Sequence, residues 1–126
     1  MRAMTIFDWI LRVAGTIVLV LGLLIWTLQL NILSIHITFG IIVTLTLLVI
    51  SILATFARGL RVLGIIGMIY AFVIPLLGLN QVRLLVGDQH WLIQVLHLLV
   101  GIGALALGET ISRRYLRLKQ AQPAVV

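Results

Sequence analysis

Two histidines stand in otherwise apolar surroundings, His36 in "SIHITFG" and His97 in "VLHLLVG", and each precedes a glycine by four residues, Gly40 and Gly101. A neutral imidazole ligates a metal through one ring nitrogen, and a protonated one carries a proton. A lone histidine in an apolar helix is adequately explained by a hydrogen bond to a neighbouring helix, but two in corresponding settings form a candidate pair. Position i+4 lies on the same helical face one turn away, so each glycine clears the surface beside its histidine.

That clearance discriminates between ligands. A flat macrocycle lying against a helix needs a gap, because side chains there would strike the ring plane; a zinc ion does not. Two histidines with no Cys, Asp or Glu at the same depth also make a poor zinc site. A haem held from opposite sides by two imidazoles satisfies both the ligand count and the gap. The chain has no cysteine, which excludes disulfides, thiolate ligands and covalent haem attachment, so the expected cofactor is one non-covalent haem b per chain. In the competing reading, Gly40 and Gly101 merely pack helices and the histidines are structural.

The third histidine, His90, lies seven residues before His97, on nearly the same face and about two turns farther out. The plainest reading is an interfacial residue beside Trp91; the alternatives are an iron ligand in place of one of the matched pair, a contact to a haem propionate, or a proton acceptor at a quinol pocket. Arg83, in the same connection, pairs with a propionate or stays a free loop arginine. Gln94, one turn before His97, orients that ligand or hydrogen-bonds across the bundle, and Tyr70 is expected to pack.

The elements that must position these residues are membrane spans. Of 126 residues, 63% are hydrophobic and 10% charged, with a mean hydropathy of +1.29, outside the range of soluble domains. Four apolar runs are long enough to cross a hydrocarbon core: about Trp9 to Leu28, Leu33 to Phe56, Val62 to Leu79 and His90 to Ile111. The first, interrupted early by Arg12 and without a small-residue cleavage site, reads as a retained span rather than a signal peptide. Arg2 and Arg12 flank its start, Arg58 and Arg61 sit in "ARGLR", and Arg113, Arg114, Arg117 and Lys119 follow the fourth run, while the other two connections hold only Arg83. The positive-inside rule then puts both termini and the middle connection in the cytoplasm. The net charge of +6 is thus explained by anionic lipid at the inner face, not by nucleic acid. The expected location is a bacterial inner membrane.

The chain also repeats itself. "RVAGTI" from Arg12 recurs as "RVLGII" from Arg61, and "LQLN" ending at Asn31 recurs as "LGLN" ending at Asn80, both 49 residues on; "HITFGI" from His36 recurs as "HLLVGI" from His97, 61 residues on. This divides residues 1–126, one transmembrane domain, into two tandem helical hairpins, about 9–58 and 59–115, with a basic tail at 113–126. Repeats holding an even number of spans share an orientation, related by an axis along the membrane normal. The second and fourth spans therefore run parallel, with His36 and His97 at similar depth in the outer half. Glycine and alanine at helical spacing (Gly15, Gly22, Gly64, Gly67, Ala71, Ala104, Gly108) promise close helix contact. Pro75 should kink the third span, Trp9, Trp26 and Trp91 mark the two interfaces, and Glu109 should pair locally with Arg113.

Four spans with "H-x-x-x-G" in the second and fourth resemble the transmembrane b-type cytochromes, including haem-bearing anchor subunits of membrane oxidoreductases. The resemblance covers the bundle in outline and rests on a motif of few residues. Families with two stacked haems use four histidines on the paired helices; here no inner-half histidine follows His36 or His97. The expected protein is an all-α, four-helix integral membrane cytochrome that relays electrons near the outer face, with quinol or an outward-facing redox partner, alone, as a homo-oligomer or within a larger complex. Electron transfer without substrate chemistry of its own is expected over an enzymatic role. The alternatives are a haem-free interaction or assembly subunit, or a small proton-coupled transporter with His36 and His97 as carriers.

Overall fold

The computed structural model describes residues 2–122, and no strand occurs among them. Four helices follow one another: α1 (Arg2–Leu28), α2 (Leu33–Thr55), α3 (Arg61–Asn80) and α4 (His90–Ala121), with a single 3₁₀ turn at Gln81–Arg83 before α4. All four are long and apolar enough to cross a membrane.

Two helices outrun their apolar windows. The hydropathy of α1 rises only after Arg2, Asp8 and Arg12, and that of α4 falls beyond Ile111, yet helix continues through both charged stretches. Arginine and lysine are good helix formers, so the boundary of an apolar span is not the boundary of the helix. Residues 113–121, expected as a tail, are the last turns of α4; the remainder of that tail lies outside the described residues. α3 runs unbroken through Pro75.

Short connections make sequence neighbours antiparallel. The turn between α2 and α3 is closed by Ala57 N–H donating to the Ala54 carbonyl and Leu60 N–H to that of Ala57, at 3.0 and 3.1 Å. Gly59 takes φ +84° there, a left-handed conformation that costs glycine nothing. Each helix touches its neighbours in sequence, α4 touches α1, and α2 also touches α4, whereas α1 and α3 do not meet. The cross-section is therefore a rhombus with α2 and α4 on its short diagonal. The two histidines ride on that pair.

Packing is uneven along the bundle. The buried apolar residues Met4, Leu11, Ala14, Leu47, Ile50, Ala54, Leu60, Ile111 and Tyr115 lie toward the end that carries the α2–α3 turn. Glycines let the helices close there: a Cβ on Gly64 would stand 2.7 Å from the backbone carbonyl oxygen of Ser51. Ser51 and Ser112, 61 residues apart, are both fully buried, and each hydroxyl donates to the carbonyl four residues earlier at 2.7 and 2.8 Å. Toward the other end no residue of α1 beyond Gly15 and none of α2 before Val43 is buried. Ile74 and Ile93 carry what burial there is.

The packed end also holds an ion network. Arg12 Nε meets Asp8 at 2.9 Å within α1, and its terminal nitrogen reaches Glu109 on α4 at 3.4 Å. Glu109 additionally accepts a hydrogen bond from Arg113, its expected local partner. Arg12 thus joins α1 to α4, a contact that no local spacing rule could indicate.

Candidate functional site

His36 sits in the first turns of α2, near the start of a helix whose apolar residues run almost all round. Its position is set by α1. His36 Nδ1 lies 3.1 Å from the carbonyl oxygen of Val18, and because a carbonyl only accepts, that nitrogen carries the hydrogen and donates. Nε2 of the neutral ring then keeps its lone pair.

A helix carbonyl is ordinarily screened by the side chain one turn onward. One turn after Val18 stands Gly22, where a Cβ would lie 3.1 Å from His36 Cε1. The missing side chain lets the imidazole settle against the backbone and reach the carbonyl.

His97 repeats the packing on the other hairpin. A Cβ on Gly78 of α3 would stand 3.0 Å from His97 Cε1, so each imidazole lies against a glycine on the preceding helix of its own hairpin. The hydrogen bonding is not repeated, because His97 Nδ1 is buried and has no hydrogen-bond partner among the described residues. The two rings approach each other across the short diagonal, with centroids 6.2 Å apart and planes at 69°.

Gly40 and Gly101 are not the glycines that touch the imidazoles. A Cβ on Gly40 would meet Val18 Cγ2 at 3.9 Å, and one on Gly101 would meet Leu19 Cδ2 at 3.6 Å, both ordinary contact distances. Consecutive residues of α1 thus lie across the two i+4 glycines. Gly22, expected only to pack helices, and Gly78, not singled out in the sequence, stand toward the ends of α1 and α3 away from the α2–α3 turn. Nothing in either local sequence links them to a histidine on another helix.

The remaining candidates lie around this pair. His90 closes the connection between α3 and α4, with Nδ1 3.2 Å from the Leu84 carbonyl oxygen, in a loop where Leu85 takes φ +44° and Gly87 φ +106°. Arg83 is exposed in the 3₁₀ turn, and the side chain of Gln94 makes no hydrogen bond to a described residue. Tyr70 donates its hydroxyl hydrogen to the Val100 carbonyl at 2.9 Å, tying α3 to α4 one turn below His97. Among the described residues no group of three or more His, Cys, Asp or Glu could hold a metal ion. Any metal at this site would need most of its ligands from something other than the chain. Comparison with known proteins gives no match to a family model, to a curated protein or to a solved structure.

Proposed function

We propose that the chain is an integral membrane b-type cytochrome, with both termini cytoplasmic, one haem b held non-covalently by His36 and His97, and single-electron relay near the outer face as its role. The observation that carries this reading is the facing pair on the short diagonal. Two histidines holding one iron would have to stand close together, and the ring centroids of His36 and His97 are 6.2 Å apart. The planes, at 69°, set the rings edge to face.

The chain's own groups fit such a ligand. The bond from His36 to the Val18 carbonyl is the backbone contact by which ligating histidines are oriented and made more basic. The buried Nδ1 of His97 has no partner among the described residues and would gain one only if that nitrogen itself took the iron. Fewer side chains are buried at the histidine level than at the other end, and Val18 and Leu19 of α1 lie beside Gly40 and Gly101 there. When bound, haem supplies one-electron exchange at an iron tuned by ligand identity and burial. His36 and His97 would hold it, in low-dielectric surroundings between the helices.

The spectrum of the purified protein, oxidised and then reduced with dithionite after expression with ample haem, tests the proposal. A six-coordinate low-spin signal lost in both His36→Ala and His97→Ala is the expected result; no haem under these conditions would overturn it. One observation favours a second reading. A neutral histidine bonded to a backbone carbonyl and nested on a glycine is also a sufficient helix–helix fastener, so haem-free protein would be an interaction or assembly subunit with His36 as a structural clamp.

A further inference from the structure

The end of the bundle with the α2–α3 turn carries more positive charge than its own residues neutralise. The chain has three carboxylates, counting Asp and Glu together. Asp8 and Glu109 are engaged by Arg12 and Arg113, and Asp88 lies in the connection at the opposite end. Arg58 and Arg61 at the turn, and Arg114, Arg117 and Lys119 on the last turns of α4, have no carboxylate within ion-pair reach among the described residues.

Two of these cations face one groove of about 450 Å³, lined by Phe56, Ala57 and Arg58 on one side and Tyr115, Leu118 and Lys119 on the other. Lys119 Nζ stands 5.7 Å over the Tyr115 ring, which holds the ammonium at the groove wall by cation–π attraction. The same walls carry exposed apolar surface: Phe56 is 84% and Leu118 40% exposed.

We propose that this groove binds the headgroup of an anionic phospholipid, its phosphate between Arg58 and Lys119 and its acyl chains along Phe56 and Leu118. The assignment rests on the reading of the helices as membrane spans and is independent of haem. Charge complementarity selects the lipid class. Two cations with no carboxylate beside them favour a headgroup of net negative charge, whereas the ammonium of a zwitterionic headgroup would meet no anion. The apolar walls favour a lipid over a free anion, because inorganic phosphate would leave Phe56 and Leu118 uncovered. A basic cation near a membrane surface contributes roughly fivefold to affinity for anionic lipid.

The test is thermal unfolding of the full chain in neutral detergent with increasing dioctanoyl phosphatidylglycerol, dioctanoyl phosphatidylcholine or inorganic phosphate, with native mass spectrometry to count bound lipid. Phosphatidylglycerol should raise the unfolding midpoint and appear as a discrete adduct. In R58Q/K119Q the concentration for half the effect should rise about 25-fold, while R83Q, at the opposite end, should titrate like the parent. Equal stabilisation by phosphatidylcholine, or an unchanged titration in R58Q/K119Q, overturns the proposal. Stabilisation by inorganic phosphate alone identifies a free-anion site and overturns the lipid assignment. Should the double variant not fold, absence of a phosphatidylglycerol adduct on the parent overturns it, and its presence with loss in the single variants R58Q and K119Q upholds it.

Discussion

Gly22→Ala and Gly78→Ala should each weaken haem retention without weakening the bundle. The new methyl carbons would stand 3.1 Å from His36 Cε1 and 3.0 Å from His97 Cε1, closer than ordinary contact, so each imidazole must retreat by a few tenths of an ångström. Overpacking costs about 1–3 kcal/mol. A side chain that can tilt takes the low end, near 1 kcal/mol or roughly fivefold in affinity. The double variant should lose about 25-fold if the effects add, and facing rings are neighbours close enough to couple. Alanine in a helix is favoured over glycine by up to about 1 kcal/mol, so the unfolding midpoint should hold or rise while occupancy falls. Gly40→Ala and Gly101→Ala, with 3.9 and 3.6 Å available, are the internal controls. Pyridine haemochrome assay of occupancy, beside thermal unfolding in detergent, reads both quantities. Equal occupancy in all four variants would refute the claim that Gly22 and Gly78 seat the ligands.

Cysteine labelling at sites introduced singly beside Arg83 should proceed from outside, and beside Arg58 from inside; the reverse pattern would invert the topology. His90→Ala should keep the low-spin spectrum that His36→Ala and His97→Ala abolish, and haem loss in His90→Ala alone would mean the ligand pair is misassigned. If His36 and His97 both ligate the iron as proposed, dithionite-reduced protein should not bind carbon monoxide readily, and rapid stoichiometric binding would point to an open-site haem instead. Gly64→Leu should lower the unfolding midpoint sharply, because even its first carbon would stand 2.7 Å from the Ser51 carbonyl oxygen, backbone that cannot move aside; an unchanged midpoint would show that α2 and α3 are not in contact there.

Hydropathy and spacing reveal the parts of this architecture that depend on one helix at a time. Four long apolar runs are visible because each must satisfy its backbone internally and offer lipid an apolar surface. Glu109 and Arg113 pair as their one-turn separation indicates. What spacing cannot supply is the partner across a helix boundary. The Val18 carbonyl belongs to the backbone and has no sequence signature, so its bond to His36 is invisible until α1 and α2 are docked. Gly22 and Gly78 are hidden for the same reason. Gly40 and Gly101 satisfy a one-turn rule, yet the side chains opposite them come from α1. Arg12 shows both sides of the limit, since its contact to Asp8 follows from the four-residue spacing and its contact to Glu109 does not.

The uneven packing bears on how far an electron could travel. At the end that holds the α2–α3 turn, Leu11, Leu47, Ile50 and Ile111 fill the interior with no accessible surface, and the buried hydroxyls of Ser51 and Ser112 are already spent on their own helices. Among the described residues the interior of that half holds no histidine. The matched imidazoles stand toward the opposite end, beside the glycines and away from the packed half. On the proposed topology a haem there lies near the outer surface, with a solid apolar plug between it and the cytoplasm. If the proposed haem is bound, relay by this chain alone would be lateral, between quinol in the membrane and a partner at the outer face, and transfer across the whole membrane would require a second protein to supply the inner half of the path.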